Sequence, residues 1–414
     1  MEAMTAIDER QRRGDVRTTG APLSMSATVL ATVVFITAIA PLATDMYVPA
    51  FPLVGRDLDS SATQVQLTLT TFFVGMALGQ LLGGPFSDRT GRRKPLLSAL
   101  AVLAIASVLC AFSPGIAGMM LARLIQGFSG GWAMVIARSI VVDLTSGSRL
   151  VRAMNIVAGI AGIAPVVGPL LGAAILQFSH WRVSFWVVAA FATAMLVAVA
   201  VGVPESLPSD RRHGGGLRRL IGATGQVLQT RLFTGHLVVF AFSMGTTFAY
   251  VATSAFVLQS MNGLSPVEYS IDFAANAAGM TAAALVASRL AGRVATRSIV
   301  GVGLLASGGA GVLLLVTAVW FAMPLWAAIV GFFLVMTAQG LIGPNAGALA
   351  SAAVPDHPGT GSALLGFLQW CMAGLIAPLA GLGGEQTAVP MATIILTLTA
   401  TSLLALGLTR SRAS

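Results

Sequence analysis

The stretch "GQLLGGPFSDRTGRRK", residues 79–94, decides how the chain is read. Gly79, Gly83 and Gly84 stand near the end of a long apolar run, where small side chains let membrane helices approach closely. Asp88 follows, and Arg89, Arg92, Arg93 and Lys94 then crowd a turn at Gly91. Basic residues between two apolar runs anchor a loop on the cytoplasmic side of a membrane. An anchor has no use for Asp88, which weakens its positive charge. An acid at a membrane edge serves instead to cap a neighbouring helix or to pair with arginine. A polar clasp of that kind, made and broken, suits a protein whose two parts rock against each other.

The runs flanking that loop, 64–86 and 95–112, are two of twelve. The others are 26–48, 115–137, 153–177, 184–203, 233–257, 271–290, 298–318, 323–347, 360–382 and 388–408. Each is near or above the roughly 17 to 25 residues that cross a bilayer as helix. Composition agrees, since 56% of the 414 residues are hydrophobic and 9% are charged. Soluble domains carry about 25% charged residues. The first run has no small-residue cleavage site in a suitable place and is read as a membrane helix rather than a removed signal. The fold expected is an all-α polytopic membrane protein of twelve transmembrane helices.

The formal charge of +9 does not indicate a nucleic-acid partner, because the basic residues sit in short loops between spans. With the N-terminus inside, all 24 Lys and Arg except Arg56, Arg182 and Arg123 fall on the inner face. That is the positive-inside pattern, and it places both termini in the cytoplasm. The longest inner connector, "PESLPSDRRHGGGLRRLIGATGQVLQTR" at 204–231, divides the spans six and six. The expected organisation is a cytoplasmic tail (1–25), a six-helix bundle (26–203), a central linker (204–232), a second six-helix bundle (233–408) and a short tail (409–414). Cys110 and Cys371 lie in apolar runs and form neither a disulfide framework nor a metal pattern.

The loop resembles the signature of the major facilitator superfamily, with Gly84, Asp88, Arg89, Gly91, Arg92 and Arg93 matching it. "ATDMYVPAFP" at 43–52 narrows the resemblance to its bicyclomycin and chloramphenicol-resistance branch. "RLIQGFSGG", "APVVGPLLGAAI", "HWRVSFW", "GPNAGALA" and "PDHPGTGSALLGFLQW" agree in order with that branch. The resemblance runs over residues 25 to 408 and implies drug:proton antiport by alternating access. In these relatives an acid of helix one and an arginine of helix four are associated with proton coupling. Some carry a further acid deeper in helix one, where this chain has the uncharged Thr37. The second-half loop "SRLAGRVATR" at 288–297 keeps arginines without an acid, which implies asymmetric gating.

Two charges inside the spans stand out. Asp45 near the end of span one and Arg123 near the start of span four approach similar depths below the outer face. A charge there faces the protein interior or a wet cavity and finds a partner, as a structural pair or as part of transport. Arginine stays charged, whereas a carboxylate changes its proton affinity with water access and nearby charge. Asp45 is therefore the expected proton carrier and Arg123 its neighbour, with Asp272 the rival acid.

Gln126 shares a helix face with Arg123 and is a candidate substrate contact, together with Tyr47, Asn345 and Gln369. Structural hydrogen bonding is the competing role for each amide. Tyr47, Phe72, Trp132 and Tyr250 are expected in the cavity wall. The inner gate is expected to hold Asp88, Arg89, Arg92, Arg138 and Asp143, the last two as a pair. In span five, Pro165, Gly168, Pro169 and Gly172 resemble the antiporter helix motif, although Asn155 and Ala164 stand where the general pattern has glycine.

His180, His213, His236 and His357 carry no metal pattern. No phosphate-binding loop or hydrolase elbow is found, so neither an enzyme nor a cofactor is expected. The reading is proton-coupled efflux of small amphipathic drugs by a monomer in the bacterial cytoplasmic membrane. Transport of one metabolite, such as a sugar or amino-acid derivative, in either direction is the alternative.

Overall fold

A computed structural model describes residues 25–212, 224–356 and 358–409. Most of the N-terminal tail, the Gly-Gly-Gly part of the linker, His213, His357 and residues 410–414 lie outside the described residues. Among the described residues, 12 helices are long and apolar enough to cross a membrane. Spans one to six are Ala27–Asp57, Ala62–Thr90, Arg93–Phe112, Ile116–Leu144, Gly147–Phe178 and Arg182–Gly202. Spans seven to twelve are Arg231–Met261, Pro266–Leu290, Thr296–Phe321, Leu325–Ala352, Thr360–Ala380 and Val389–Leu408.

Most spans run past the limits expected from hydropathy, and at spans two and eight a polar cap fixes where the helix begins. Ser61 and Gln64 form a reciprocal capping box at the start of span two, and Ser265 with Glu268 repeats it at span eight. Span one is not one continuous helix. Its α-helix ends at Asp45, a 3-10 turn covers Val48–Ala50, and a short helix Phe51–Asp57 completes the crossing. Pro49 accounts for the break, since its ring would clash with the carbonyl four residues back, that of Asp45.

Spans two and four make the tightest pair. A Cβ on Gly127 would overlap the Phe72 carbonyl, so the two backbones touch. The second half repeats the device: a Cβ on Gly340 in span ten would overlap the Met280 carbonyl of span eight. Glutamine precedes both glycines. Gln126 donates to Ser107 of span three at 2.8 Å, and Gln339 donates to Ser307 of span nine at 3.3 Å. "RLIQG" at 123–127 and "MTAQG" at 336–340 therefore occupy equivalent places in the two halves. Arg123 matches Met336, so the charge is present in one half alone.

Among the described residues, three hydrogen bonds join the halves. Thr63 Oγ1 donates to Gly381 O, Gln66 Nε2 to Ala252 O and Gln259 Nε2 to Pro49 O, each at 3.0 Å. All three lie toward the arginine-poor face. Phe51 packs on Phe256 at 5.8 Å on the same side. Nearer mid-depth, Phe73 of the first half meets Phe248 at 4.7 Å and Trp370 at 5.7 Å, closing an aromatic layer across the interface. The halves are thus sealed together on the arginine-poor side.

Candidate functional site

Arg123 is fully buried, roughly two turns into span four. Its Nη1 donates to Ala43 O at 3.1 Å and to Gln126 Oε1 at 2.7 Å. The guanidinium lies over the Phe72 ring at 4.2 Å, with Tyr47 at 5.0 Å and Phe185 at 5.8 Å. Ring faces carry negative charge, so the aromatic box stabilises the cation without a counter-ion. Nε and Nη2 have no hydrogen-bond partner among the described residues.

Asp45 is 6% exposed and does not pair with Arg123. The two expected neighbours share a stretch of span one without an ion pair: Arg123 donates to the carbonyl of Ala43, two residues before Asp45, while the Asp45 side chain sits against span five. The Cβ of Asp45 is 2.7 Å from where a Cβ on Gly168 would be, and a Cβ on Gly172 would overlap the Met46 carbonyl. Spacing by four puts both glycines on one helix face, and they seat span five on the break in span one. Pro169 is buried beside them and Pro165 is half-buried. Asp45 also lies within electrostatic reach of Tyr269 from span eight. The mismatch arises because matching depths in two helices do not fix the directions in which their side chains point.

Several expected substrate contacts have other surroundings. Gln126 is enclosed by Arg123, Ser107 and, at 4.0 Å, Cys110 Sγ, so it orients the arginine rather than facing a solute. Tyr47 is core: its hydroxyl is 3.1 Å from Thr68 Oγ1 and its ring packs on Phe51 and Phe185. Phe72 and Tyr250 are likewise buried, whereas Trp132 is half-buried between Phe86 and Phe128. Asn345 is half-buried and donates to Leu341 O of its own helix at 2.8 Å. Gln369 is half-buried beside the Trp370 layer.

At the arginine-rich face, Arg92 is the centre of a polar cluster. It pairs with Asp88 at 2.6 Å and Asp143 at 2.9 Å and donates to Ser87 Oγ at 2.6 Å. Burial opposes its charge, but Asp143 and Asp88 prevail and hold its pKa above the ordinary arginine value. Ser206 donates to Asp143 at 3.0 Å. The expected Arg138–Asp143 pair does not form: Asp143 engages Arg92 and Ser206 instead, and Arg138 is exposed. Five residues along a helix turn a side chain about 140° away, so the two do not share a face. Arg89 stands in the last turn of span two, beside Asp88 in sequence.

Sequence reasoning missed Glu205. Its carboxylate accepts from the backbone N–H of Arg92 at 2.7 Å, of Arg93 at 3.2 Å and of Leu207 at 3.0 Å. It therefore caps the N-terminus of span three, where the helix dipole favours an anion. Gly91 makes this possible, with φ of 96° and a Cβ position 2.5 Å from Glu205 Oε2. The signal available in the sequence was only a glutamate after Pro204, with nothing local to show its target. These bonds fall within the first half, so in this structure the cluster is not a clasp between halves.

The cluster yields a paired prediction. Glu205→Ala strips a helix cap and is expected to cost about 1 kcal/mol of stability, read as a lower melting temperature in detergent. Asp88→Asn removes a half-exposed partner of small energetic weight. It is expected to keep abundance and melting temperature while transport in vesicles slows. Normal transport by Asp88→Asn removes this acid from the gate.

Comparison with known proteins places this geometry. Residues 33–378 match the family model described as Major Facilitator Superfamily. The chain is 34% identical over 380 residues to the uncharacterized MFS-type transporter YdgK of Bacillus subtilis (strain 168), covering 90% of this chain and 93% of that one. It is 30% identical over 394 residues to a chloramphenicol resistance protein of Pseudomonas aeruginosa, covering 91% and 88%. A bicyclomycin resistance protein homolog of Haemophilus influenzae is 28% identical over 353 residues, covering 85% and 88%.

Among solved structures, a bacterial homolog of the human lysosomal transporter Spinster, inward-facing and unoccupied, superposes with a TM-score of 0.74 at 15% identity. That match covers 93% of this chain and 98% of that one. Twelve spans in two bundles, the glycine-lined pairing of spans two and four, the Asp88–Arg92 loop and the family match over most of the length agree. The chain belongs to the major facilitator superfamily, and it is a membrane transporter rather than an enzyme.

Proposed function

We propose that this transporter exports small amphipathic drugs, neutral or zwitterionic molecules such as phenicols or bicyclomycin, in exchange for protons. The observation that carries the reading is Asp45: a buried carboxylate at a helix break, unpaired with Arg123 and packed against the span that meets the second half. An ionised carboxylate is costly there without a cation, so its proton traffic is tied to its surroundings. Arg123 supplies a fixed positive charge on the same stretch of span one, held by the aromatic box and oriented by Gln126. Movement of span one during the cycle changes the distance between the carboxylate and that charge. The drug-resistance names of two relatives support efflux.

The arginine-rich face is cytoplasmic by the positive-inside rule, which puts both termini inside. The seal on the opposite side then corresponds to an inward-facing state, in which a drug enters from the cytoplasm or the inner leaflet. Asn345 and Gln369 are the candidate substrate contacts that remain beside the buried Tyr47 and Gln126, with the half-buried Trp132 a candidate for the cavity wall. Asp88, Arg89, Arg92, Arg138 and Asp143 are the candidate inner-gate residues, to engage the second half in the opposite state of the cycle, and the cycle needs no second subunit.

The test is expression in a bacterial host deleted for its own drug pumps. The expected result is a rise in the inhibitory concentration of chloramphenicol or bicyclomycin, abolished by a protonophore in companion uptake assays. Unchanged susceptibility across both drugs, dyes and other antibiotics, with membrane expression verified, points instead to a metabolite substrate.

A further inference from the structure

A second carboxylate lies in the other half. Asp272 is six residues into span eight, about 9 Å from its arginine-poor end at 1.5 Å per residue. It is half-buried. Asn276, 1% exposed and one turn further in, uses one nitrogen for two bonds: Nδ2 donates to Asp272 Oδ2 at 2.9 Å and to the Tyr250 hydroxyl at 2.9 Å. The other end of the amide, Oδ1, is buried without a partner among the described residues. Tyr269, on the same helix, contacts Ser254 at 3.0 Å and feels the charge of both Asp272 and Asp45.

Among the described residues, no cation stands close to this cluster. Span eight packs on span five, span ten, the 3-10 turn Val48–Ala50 and the segment Phe256–Met261. Span ten and the two short segments contain no titratable side chain. Span five offers only Arg149 and Arg152, at its opposite end. Span seven contributes Tyr250, with Arg231 and His236 near its arginine-rich end, and span one contributes Asp45 and Tyr47, with Arg56 and Asp57 at its arginine-poor end. On span eight itself stand Glu268, engaged with Ser265, Tyr269, and Arg289 some 25 Å away by helix rise. The groups that sense Asp272 are thus two phenols and an amide.

The orphaned Oδ1 gives the amide a second use. An ionised carboxylate only accepts hydrogen bonds, whereas a protonated one donates through its O–H. An ionised Asp272 fits the present arrangement, in which Asn276 Nδ2 donates to the carboxylate and to Tyr250. When Asp272 takes a proton from water, a half-turn of the amide presents Oδ1. That oxygen accepts from the Asp272 O–H and from the Tyr250 O–H. Both states satisfy the acid, and Tyr250 changes from acceptor to donor. Release of the proton to water reverses each step.

We propose that Asp272 is a second proton-carrying carboxylate of the transport cycle, with Asn276 a switch that passes its protonation state to Tyr250 in span seven. This inference rests on the proton-coupled reading above and extends it to the second half. The consequence reaches the seal: two residues beyond Tyr250, the Ala252 carbonyl receives Gln66 from the first half, and Ser254 touches Tyr269. Proton occupancy at Asp272 thereby acts on the contact that keeps the arginine-poor face shut.

The test is infrared difference spectroscopy of the purified full-length protein in lipid nanodiscs during a pH jump, without drug. Wild type is expected to show carboxylic C=O signals from two groups, one lost in Asp272→Asn and the other in Asp45→Asn. Asn276→Leu is expected to shift the Asp272 signal and a tyrosine ring signal while leaving the Asp45 signal in place. Asn276→Ser serves if the leucine variant does not fold. In proteoliposomes, the number of protons exchanged per chloramphenicol should fall in Asp272→Asn. A spectrum and proton count for Asp272→Asn identical to wild type overturn this proposal and leave the Asp45 reading intact. Full uphill transport by Asp45→Asn, with the Asp272 signal present, overturns the Asp45 reading instead.

Discussion

Replacing Asp45 with asparagine is expected to abolish gradient-driven drug accumulation while leaving the protein folded. The amide has nearly the volume of the acid, and the change removes a titratable group that has no bond to Arg123 to lose. Span five remains seated, since Gly168 meets the Cβ of Asp45 rather than its carboxylate. Loss of a required proton carrier is expected to lower uphill transport by about 100-fold or more, of the order seen when a positioned proton-transfer group is removed. Equilibrium exchange of labelled chloramphenicol without a gradient should persist. Proteoliposomes carrying an imposed pH gradient separate the two activities. Full accumulation by the variant would take Asp45 out of the coupling mechanism.

Arg123→Met is expected to be folded and inactive. Methionine occupies the equivalent place in the second half at Met336, in the same Gln-Gly context, so the helix pairing tolerates it. Replacing a buried charge with an apolar side chain is often neutral or stabilising. Against that stands the loss of the donor to Gln126 Oε1 and Ala43 O, an unsatisfied-acceptor cost of about 1–3 kcal/mol. The two effects oppose each other, and the expected net change in stability is within about 2 kcal/mol of zero. Transport should nevertheless disappear. Arg123→Lys tests the aromatic box separately, because an ammonium has no flat face to stack and forms a different set of bonds. Melting temperature and uphill transport, measured on the same preparations, decide the matter. An Arg123→Met protein that still accumulates drug leaves the arginine a structural role only.

The twelve spans were legible because membrane crossing is a matter of length and apolarity, both written along the chain. Asp45 and Arg123 were legible because a charge inside such a run is costly and has few roles beyond pairing or transport. Their separation was not, since the spans are apolar on nearly all sides and hydropathy gives no direction around the helix. Arg92 was visible as part of the loop, but its bond to Asp143 required the ends of spans two and four to meet. Gln126 shows the limit most clearly. Its face was correctly shared with Arg123, yet only the positions of Ser107 and Ala43 reveal that the amide and the cation hold each other. Asn276 stood in the sequence as one amide among several, and its orphaned oxygen appears only in three dimensions.

Glu205 changes what counts as a half of this protein. Hydropathy ends the first bundle near residue 203, but the carboxylate at 205 and the hydroxyl at 206 close the start of span three and the end of span four. Expressing the halves as two separate polypeptides would therefore demand a cut beyond Leu207, whose backbone N–H also meets Glu205. A cut at Pro204 would free two backbone donors and one carboxylate partner at the base of the first bundle. The connector between the halves accordingly begins past the residues held by the Glu205 carboxylate and the Ser206 hydroxyl, rather than where the apolar run ends.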